Sequence, residues 1–194
     1  MPAVELREAA TVILLRDGAP FEVLMIARNP AGRVMGGVWA FPGGAVDEVD
    51  GSGERRLRLA AVRELAEETA ITGVDPGALV PFAHWVAPPS LPVRFDAHFF
   101  LARAPDGQEP VVDGVECVDA GWFTAADALE SGRLALLFPT RKQLERLRAF
   151  ERVDELLSAA HGAPVKTVRP RLRFAGDRGD PLLPGDPGYE TARG

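Results

Sequence analysis

The chain has 194 residues, 46% of them hydrophobic, and carries a formal net charge of −6 at pH 7. This length and composition predict one sizeable globular core and exclude an intrinsically disordered chain. The acidic balance gives no electrostatic reason to bind nucleic acid or an anionic membrane, so we expect neither partner. Cys117 is the single cysteine, no secretory segment follows Met1, and no apolar run approaches membrane-spanning length. We therefore expect a cytoplasmic protein without an intrachain disulfide.

The first predicted elements form a β-hairpin. β-Branched and apolar residues run from Ala9 to Leu15, Asp17-Gly18 supplies a turn, and Phe21 to Ile26 is the partner strand. The segment from Arg28 to Gly37 contains several glycines and a proline, which predicts a loop. A short strand from Val38 to Phe41 follows this loop and leads into a pair of glycines.

That glycine pair lies ahead of a predicted helix. Phe41-Pro42-Gly43-Gly44 combines an apolar anchor, a fixed φ and two positions that tolerate close approach to a ligand. An acidic loop from Asp47 to Gly53 comes next. The helix is expected to begin near Glu54, with Ser52 as a candidate N-cap, and to continue as far as Gly73.

The helix carries a dense acidic run, Arg63-Glu64-Leu65-Ala66-Glu67-Glu68. At about 100° per residue, Glu64, Glu67 and Glu68 fall within roughly one third of the circumference, on the side away from the core. Carboxylate oxygens at this density suit Mg²⁺, which takes a few carboxylates together with substrate phosphates. A solvated acidic face, with Arg63 and Glu67 as an ordinary ion pair, is the alternative. The preceding glycines favour the metal–phosphate site.

The second half of the chain adds strands first and helices afterwards. The predicted strands are Val80 to Val86, Arg94 to Ala104 and Val115 to Phe123. The predicted helices are a short one from Ala125 to Ser131 and a long one from Pro139 to Ala160. Cys117 falls in an alternating apolar stretch, which predicts a buried, inert thiol. The three histidines, His84, His98 and His161, lack metal-ligand spacing in the sequence and receive no role.

A change of composition separates a C-terminal extension, residues 164–194, from a main domain of residues 1–163. Val165 to Phe174 is basic, which is typical of an edge strand with outward charges, and Pro181 to Tyr189 is rich in proline, glycine and aspartate. Two interpretations stand: the extension docks on its own domain or a partner subunit, or it is a loosely packed arm. A homodimer is one candidate assembly.

The chain resembles the Nudix hydrolases, whose box reads G-x5-E-x7-R-E-U-x-E-E-x-G-U, where U is a bulky aliphatic residue. The matching residues are Gly44, Arg63, Glu64, Leu65, Glu67, Glu68 and Ile71. The loop ahead of the arginine is five residues longer, and Arg55 stands where the first glutamate is expected, counting back from that arginine. Glu54 and Asp50 are candidates to replace it. Ala70 occupies the final glycine position, and because alanine disfavours the left-handed conformation, the helix is expected to pass it.

The resemblance implies an α/β fold, a Nudix-type α/β/α sandwich with a mixed central sheet. It also implies hydrolysis of a small-molecule nucleotide, a nucleoside diphosphate linked to another moiety. Mg²⁺, with Mn²⁺ as a substitute, is expected on Glu64, Glu67, Glu68 and the Gly44 carbonyl. Arg63 is expected to orient the glutamates, and it completes the implied catalytic set with them. The general base varies in the family, and Asp96 and Glu116 are the candidates here, although each is also typical of a solvent-facing strand residue.

Two further resemblances concern the substrate. Leu24 to Asn29, Arg33 and Gly37 precede Phe41 to Gly44 at the spacing of a group of Nudix enzymes that cleave coenzyme A, with two polar identities lost. His84-Trp85-Val86-Ala87-Pro88 and Arg94-Phe95-Asp96 are similar to a second coenzyme A-directed group. Coenzyme A or an acyl derivative is therefore the favoured substrate.

Three residues are predicted to contact this substrate. Arg28 and Arg33 can hold phosphate oxygens through bidentate forks, and Trp85 can flank the bound molecule. Loop support for the arginines and core packing for the tryptophan are the alternatives. A nucleotide-sugar, ADP-ribose or dinucleotide pyrophosphatase is the alternative enzyme. A catalytically weak Nudix-fold binding or regulatory module is the alternative class.

Overall fold

A computed structural model describes residues 4–32, 35–53, 55–175 and 178–192. The strands are β1 Leu6–Arg16, β2 Glu22–Arg28, β3 Trp39–Ala40, β4 Gly43–Ala45, β5 Val80–Val86, β6 Arg94–Arg103, β7 Cys117–Phe123, β8 Thr167–Val168, β9 Arg171–Ala175 and β10 Arg178–Leu182. The helices are α1 Arg55–Thr69, α2 Ala125–Glu130, α3 Phe138–Leu147 and α4 Val153–Ala160. Short 3₁₀ turns lie at Glu48–Asp50, Pro76–Ala78 and Tyr189–Thr191. Within these ranges, no helix is long and apolar enough to cross a membrane.

The central sheet is mixed. Its strand order is β3-β2-β1-β6-β5-β8, with β4 paired to β1 and β7 paired to β2. The long β1 and β6 strands run parallel, whereas β1 and β2 form the predicted antiparallel hairpin. From the C-terminal extension, β8 adds a parallel edge beside β5, while β9 and β10 form a separate two-stranded sheet. The predicted α/β class with a mixed sheet is confirmed.

Alternation along β1 divides the core into two layers. Val12 and Leu14 pack with Leu65 of α1 on one face, and Ile13 and Leu15 pack with α3 and α4 on the other. Helices thus cover both faces of the sheet, as the α/β/α sandwich requires. The face covered by α1 is called the α1 face below.

The prediction of one long helix from Pro139 to Ala160 is wrong, because this segment forms two separate helices, α3 and α4. Leu147 and Leu156 are both fully buried. At about 100° per residue, they would point to opposite sides of one straight helix. The break lets both side chains enter the same core layer.

The end of α1 also differs from the prediction. The helix stops at Thr69, and Ala70 adopts a left-handed φ of 58° instead of continuing the helix to Gly73. The Thr69 hydroxyl donates to the Leu65 carbonyl oxygen at 2.6 Å and accepts the Ile71 N–H at 3.3 Å. Ile71 is 1% exposed, so burying its side chain offsets the strain at the alanine, about 1–2 kcal/mol.

Candidate active site

Strand β4 brings the glycine pair against helix α1. Gly44 pairs with Ala10 of β1, and a Cβ atom at Gly44 would overlap the Glu64 carboxylate. Glycine at position 44 therefore leaves room for the Glu64 carboxylate where it lies, and a larger residue would require that side chain to move. The fold places the glycine loop and the acidic run side by side, as a metal–phosphate site needs.

Arg63 connects the acidic groups of the site. Its Nη1 lies 2.8 Å from Glu64 Oε1 and 3.0 Å from Glu67 Oε2, and its Nη2 donates to the Ala45 carbonyl at 3.0 Å. Its Nε and Nη2 form a two-point fork to Asp50, with both distances 2.9 Å. Such charge-assisted contacts from one planar group fix carboxylate orientation more strictly than a single ion pair.

Asp50 lies six residues after Gly44, which is the position of the first glutamate of the box when it is counted from that glycine. It is 3% exposed, and the Arg63 fork holds the pKa of its carboxyl below the ordinary value. The five extra residues of the loop therefore fall between Asp50 and Arg63. Arg55 begins α1, and Glu54, the other candidate, lies outside the described residues.

Glu68 departs from the predicted exposed face of the helix. It is 3% exposed, and its Oε2 accepts the Gly43 N–H at 2.8 Å. Its Oε1 is buried without a hydrogen-bond partner among the described residues, although Arg28 Nη2 lies 3.8 Å away. Burial raises the pKa of this carboxyl to about 7.

The other two glutamates differ in exposure. The Glu64 side chain is 14% exposed, and burial raises the pKa of its carboxyl, whereas the Glu67 side chain is 60% exposed. The prediction that all three carboxylates lie away from the core is thus wrong for Glu68, because α1 presents its last turn to β4. A buried carboxylate oxygen without a hydrogen bond from the described residues, beside a second carboxylate, fits a divalent cation that takes hard oxygen ligands.

Arg28 and Glu116 border this carboxylate cluster. Arg28 Nη2 lies 3.3 Å from Glu116 Oε1, and Glu116 raises the pKa of both Glu64 and Glu68 through its negative charge. The Glu116 side chain is 65% exposed, so solvent reaches it. The structure therefore places two predicted site residues, one substrate-binding candidate and one general-base candidate, at the glutamates. Arg33 lies outside the described residues.

Strand β7 begins at Cys117, two residues later than predicted. The Asp113 carboxylate accepts the backbone N–H groups of Val115, Glu116 and Cys117, so these donors are unavailable to a sheet. The capped turn keeps the Glu116 side chain outside the strand. Cys117 is fully buried, as predicted, and burial raises the pKa of its thiol to about 12.

Two other predicted site residues lie elsewhere. Trp85 is 5% exposed and packs edge-on against Phe138 in the core layer opposite the α1 face. Its ring has no accessible face for a substrate, so we reassign it to the core. Asp96 hydrogen-bonds to His84 and lies beside His98.

Sequence reasoning missed the grouping of His84, Asp96 and His98. The two histidines lie opposite each other in the β5–β6 register. Their sequence separation carries no metal-ligand signal, and only the alignment of two predicted neighbouring strands would have indicated the contact.

A mixed α/β/α sandwich with a glycine loop set against an arginine-linked acidic helix is the arrangement that the resemblance to the Nudix hydrolases implies. The model of the NUDIX domain family matches residues 5–147. The chain belongs to the Nudix family and is a Nudix hydrolase.

Similar proteins agree with this membership. A Caenorhabditis elegans relative that carries a nudix hydrolase name is 26% identical, over 85% of this chain and 68% of the relative. The crystal structure of a NUDIX hydrolase from Alicyclobacillus acidocaldarius is 28% identical and covers 83% of this chain and 99% of its own, with a TM-score of 0.74. The NUDIX domain of Shewanella oneidensis NrtR, complexed with ADP ribose, is 19% identical over 75% of this chain and 88% of its own, with a TM-score of 0.58. This last likeness shows the fold alone.

Proposed function

We propose that this protein hydrolyses the diphosphate bond of a nucleoside diphosphate linked to another moiety, with Mg²⁺ as its cation and Mn²⁺ as a substitute. Glu64, Glu67, Glu68 and the Gly44 carbonyl are the proposed ligands. The observation that carries the proposal is the buried Oε1 of Glu68, which has no hydrogen-bond partner among the described residues and lies beside the carboxylates that Arg63 contacts. A divalent cation would offset the cost of burying that charge.

The side chains around the carboxylates have separate proposed tasks. Bound Mg²⁺ supplies charge neutralisation of the diphosphate and lowers the pKa of a coordinated water. Arg63 holds Glu64 and Glu67 on one side and Asp50 on the other, so the carboxylates are oriented before substrate arrives. Arg28, at the edge of the cluster, is placed to contact a substrate phosphate through its guanidinium.

Glu116 is the better supported of the two candidate general bases. It is exposed, and it shares the Arg28 guanidinium with Glu68: Arg28 Nη2 lies 3.3 Å from Glu116 Oε1 and 3.8 Å from Glu68 Oε1. Asp96 is engaged by His84. We expect Glu116→Gln to lower kcat by about 10²–10⁴-fold, the usual contribution of general-base catalysis, with Asp96→Asn as the matched comparison. A larger loss of kcat in Asp96→Asn would instead identify Asp96 as the general base.

Coenzyme A or an acyl derivative is the proposed substrate. Support comes from the sequence pattern from Leu24 to Gly44 and from the place of Arg28 beside the acidic cluster. ADP-ribose, nucleotide-sugars and dinucleotides share the diphosphate and are the alternatives. A Nudix-fold binding or regulatory module without turnover is less consistent with the Asp50–Arg63–Glu64 contacts, which preserve an ordered acidic site.

A substrate panel tests the proposal. The protein is incubated with Mg²⁺ and coenzyme A, ADP-ribose, NADH or nucleoside triphosphates, and products are identified by mass spectrometry. Coenzyme A should give 3′,5′-ADP and 4′-phosphopantetheine, because cleavage within its diphosphate leaves those halves. Faster cleavage of another compound would identify that compound, in place of coenzyme A, as the preferred substrate. Absence of turnover on every compound, with binding retained, would favour the binding module.

A further inference from the structure

Antiparallel pairing of β5 and β6 builds a second cluster of potential ligands on the α1 face. His84 lies opposite His98, and Asp96 is two residues away from His98 on the same strand face. The two imidazole rings stack with centroids 4.1 Å apart and planes inclined by 16°. Both side chains therefore leave the sheet in the same direction, toward a shared point.

The ligand atoms converge at that point. His84 Nε2 hydrogen-bonds to Asp96 Oδ1, and His98 Nε2 lies 3.8 Å from the same oxygen. One ligand atom from each of the three residues lies within 4.8 Å of the others. The side chains are 19%, 25% and 27% exposed for His84, Asp96 and His98, so they are held in place yet reachable by an ion.

A residue of the C-terminal extension orients one of the rings. Thr167 of β8 is the register partner of His84, and its Oγ1 lies 2.9 Å from His84 Nδ1. In the metal-free protein the Nε2–H of His84 donates to Asp96, and Nδ1 accepts from the Thr167 hydroxyl. A metal on Nε2 requires the other tautomer, in which Nδ1–H donates to that hydroxyl. Metal-binding histidines are usually oriented by such a hydrogen bond from their second nitrogen.

We propose that His84, Asp96 and His98 form a transition-metal site separate from the glutamate cluster. Two imidazole nitrogens and one carboxylate suit Zn²⁺ or Co²⁺, whereas the oxygen ligands of the glutamates suit Mg²⁺ or Mn²⁺. Burial lowers the pKa of His98, which favours the neutral ring that can bind a metal.

The two sites are spatially distinct. His98 pairs with Ala10 of β1, and Ala10 pairs with Gly44 on its other side. Two strand spacings of about 4.8 Å place His98 about 10 Å from Gly44 along the sheet. The inference rests on its own residues and does not depend on the proposed hydrolysis.

Co²⁺ titration, followed by visible absorption of metal-free protein in excess Mg²⁺, tests this site. Wild-type protein should bind one Co²⁺ that Zn²⁺ displaces and Mg²⁺ does not. His84→Gln and His98→Gln should each weaken Co²⁺ binding by at least about 100-fold, and Thr167→Val by about 10–100-fold. His161, at the end of α4, is the matched control, and His161→Gln should bind Co²⁺ like the wild type.

Thermal unfolding of each metal-free variant verifies that the fold is retained, and two independent histidine variants keep the test valid if one fails to fold. Retained one-equivalent binding in the triple variant Glu64→Gln, Glu67→Gln, Glu68→Gln would support a site separate from the glutamates. Absence of Co²⁺ binding in the wild type, or unchanged binding in both folded histidine variants, would overturn the proposal. Hydrolysis in Mg²⁺ is measured separately, so a failure of either proposal is recognised independently.

Discussion

At the scale of single residues, the site combines one arginine with carboxylates of unequal burial. Arg63 reaches Asp50 with two parallel N–H groups, and lysine cannot reproduce that fork. Asp50 is almost fully buried, so a lost partner leaves an unpaired charge. The arginine thus supports both the local fold and the orientation of the glutamates.

We expect Arg63→Lys to lower kcat by at least about tenfold and to destabilise the protein by about 1–3 kcal/mol, because Asp50 loses charge-assisted hydrogen bonds. Kinetics in saturating Mg²⁺ and thermal unfolding measure the two effects. Arg56→Lys is the control, since Arg56 pairs with half-exposed Glu8 instead. Wild-type rate and stability in Arg63→Lys would show that Arg63 acts as a simple surface charge.

Glu68 should make the stability of the metal-free protein depend on pH. Its folded-state pKa is about 7 against an ordinary value of 4.5, so the folded protein retains a proton that the unfolded chain releases. The contribution of Glu68 to the free energy of unfolding is therefore greatest below pH 4.5 and falls as the pH rises to about 7, by up to about 3 kcal/mol. Denaturant unfolding in chelator at several pH values measures this decline.

Two variants assign the pH dependence. Glu68→Gln should flatten the decline between pH 5 and 7, roughly the range over which Glu68 titrates, whereas Glu67→Gln should retain it because the Glu67 side chain is 60% exposed. Mg²⁺ added at pH 8 should restore stability to the wild type more than to Glu68→Gln. If the free energy of unfolding declined equally with pH in the wild type and in Glu68→Gln, Glu68 would be excluded as the source of the pH dependence.

At the scale of elements, the sequence predicted a helix or strand correctly where one hydrophobic period continued along the whole segment. Alternation and turn residues predicted the β1–β2 hairpin and the strands β5 and β6 to within a few residues. The helical run predicted α1 and the acidic cluster on it. Patterns failed where tertiary packing decided the outcome, as in the break between α3 and α4. Burial of Glu68 and the contact of His84 with His98 depend on which strands become neighbours, and local periodicity carries no such information.

The end of α1 provides a stability prediction at this scale. Ala70 has a φ of 58°, which glycine adopts without steric cost. Ala70→Gly should stabilise the protein by about 0.5–1 kcal/mol and raise Tm by roughly 2–4 °C. Ala66→Gly is the matched control in the helix interior, where the same change should destabilise by about 0.5–1 kcal/mol. Thermal unfolding measures both, and a lower Tm for Ala70→Gly would contradict the strain at this position.

At the scale of the whole molecule, the two faces of the sheet differ in the side chains that they carry. The layer opposite α1 is filled by apolar side chains, including Trp85, Leu147 and Leu156. The α1 face carries the glutamate cluster and the histidine cluster, and strand β1 lies between the two strands β4 and β6 that border them. The predicted loop from Arg28 to Gly37 begins at Arg28, which lies beside the glutamate cluster.

Substrate selection is the last prediction, and it concerns this loop as a unit. Coenzyme A differs from dephospho-coenzyme A only by the 3′-phosphate, and a hydrogen bond to a charged group contributes about 1.5–3 kcal/mol. If Arg28 or Arg33 contacts that phosphate, kcat/KM should be roughly ten- to a hundredfold higher for coenzyme A. Arg33→Ala should abolish this preference while the basal reaction persists, because the proposed metal ligands are unchanged. Arg152→Ala, at the exposed start of α4, is the charge-matched control and should keep the preference. Equal kcat/KM values for the two compounds in the wild type would mean that the pattern from Leu24 to Gly44 reflects loop architecture and not recognition of coenzyme A.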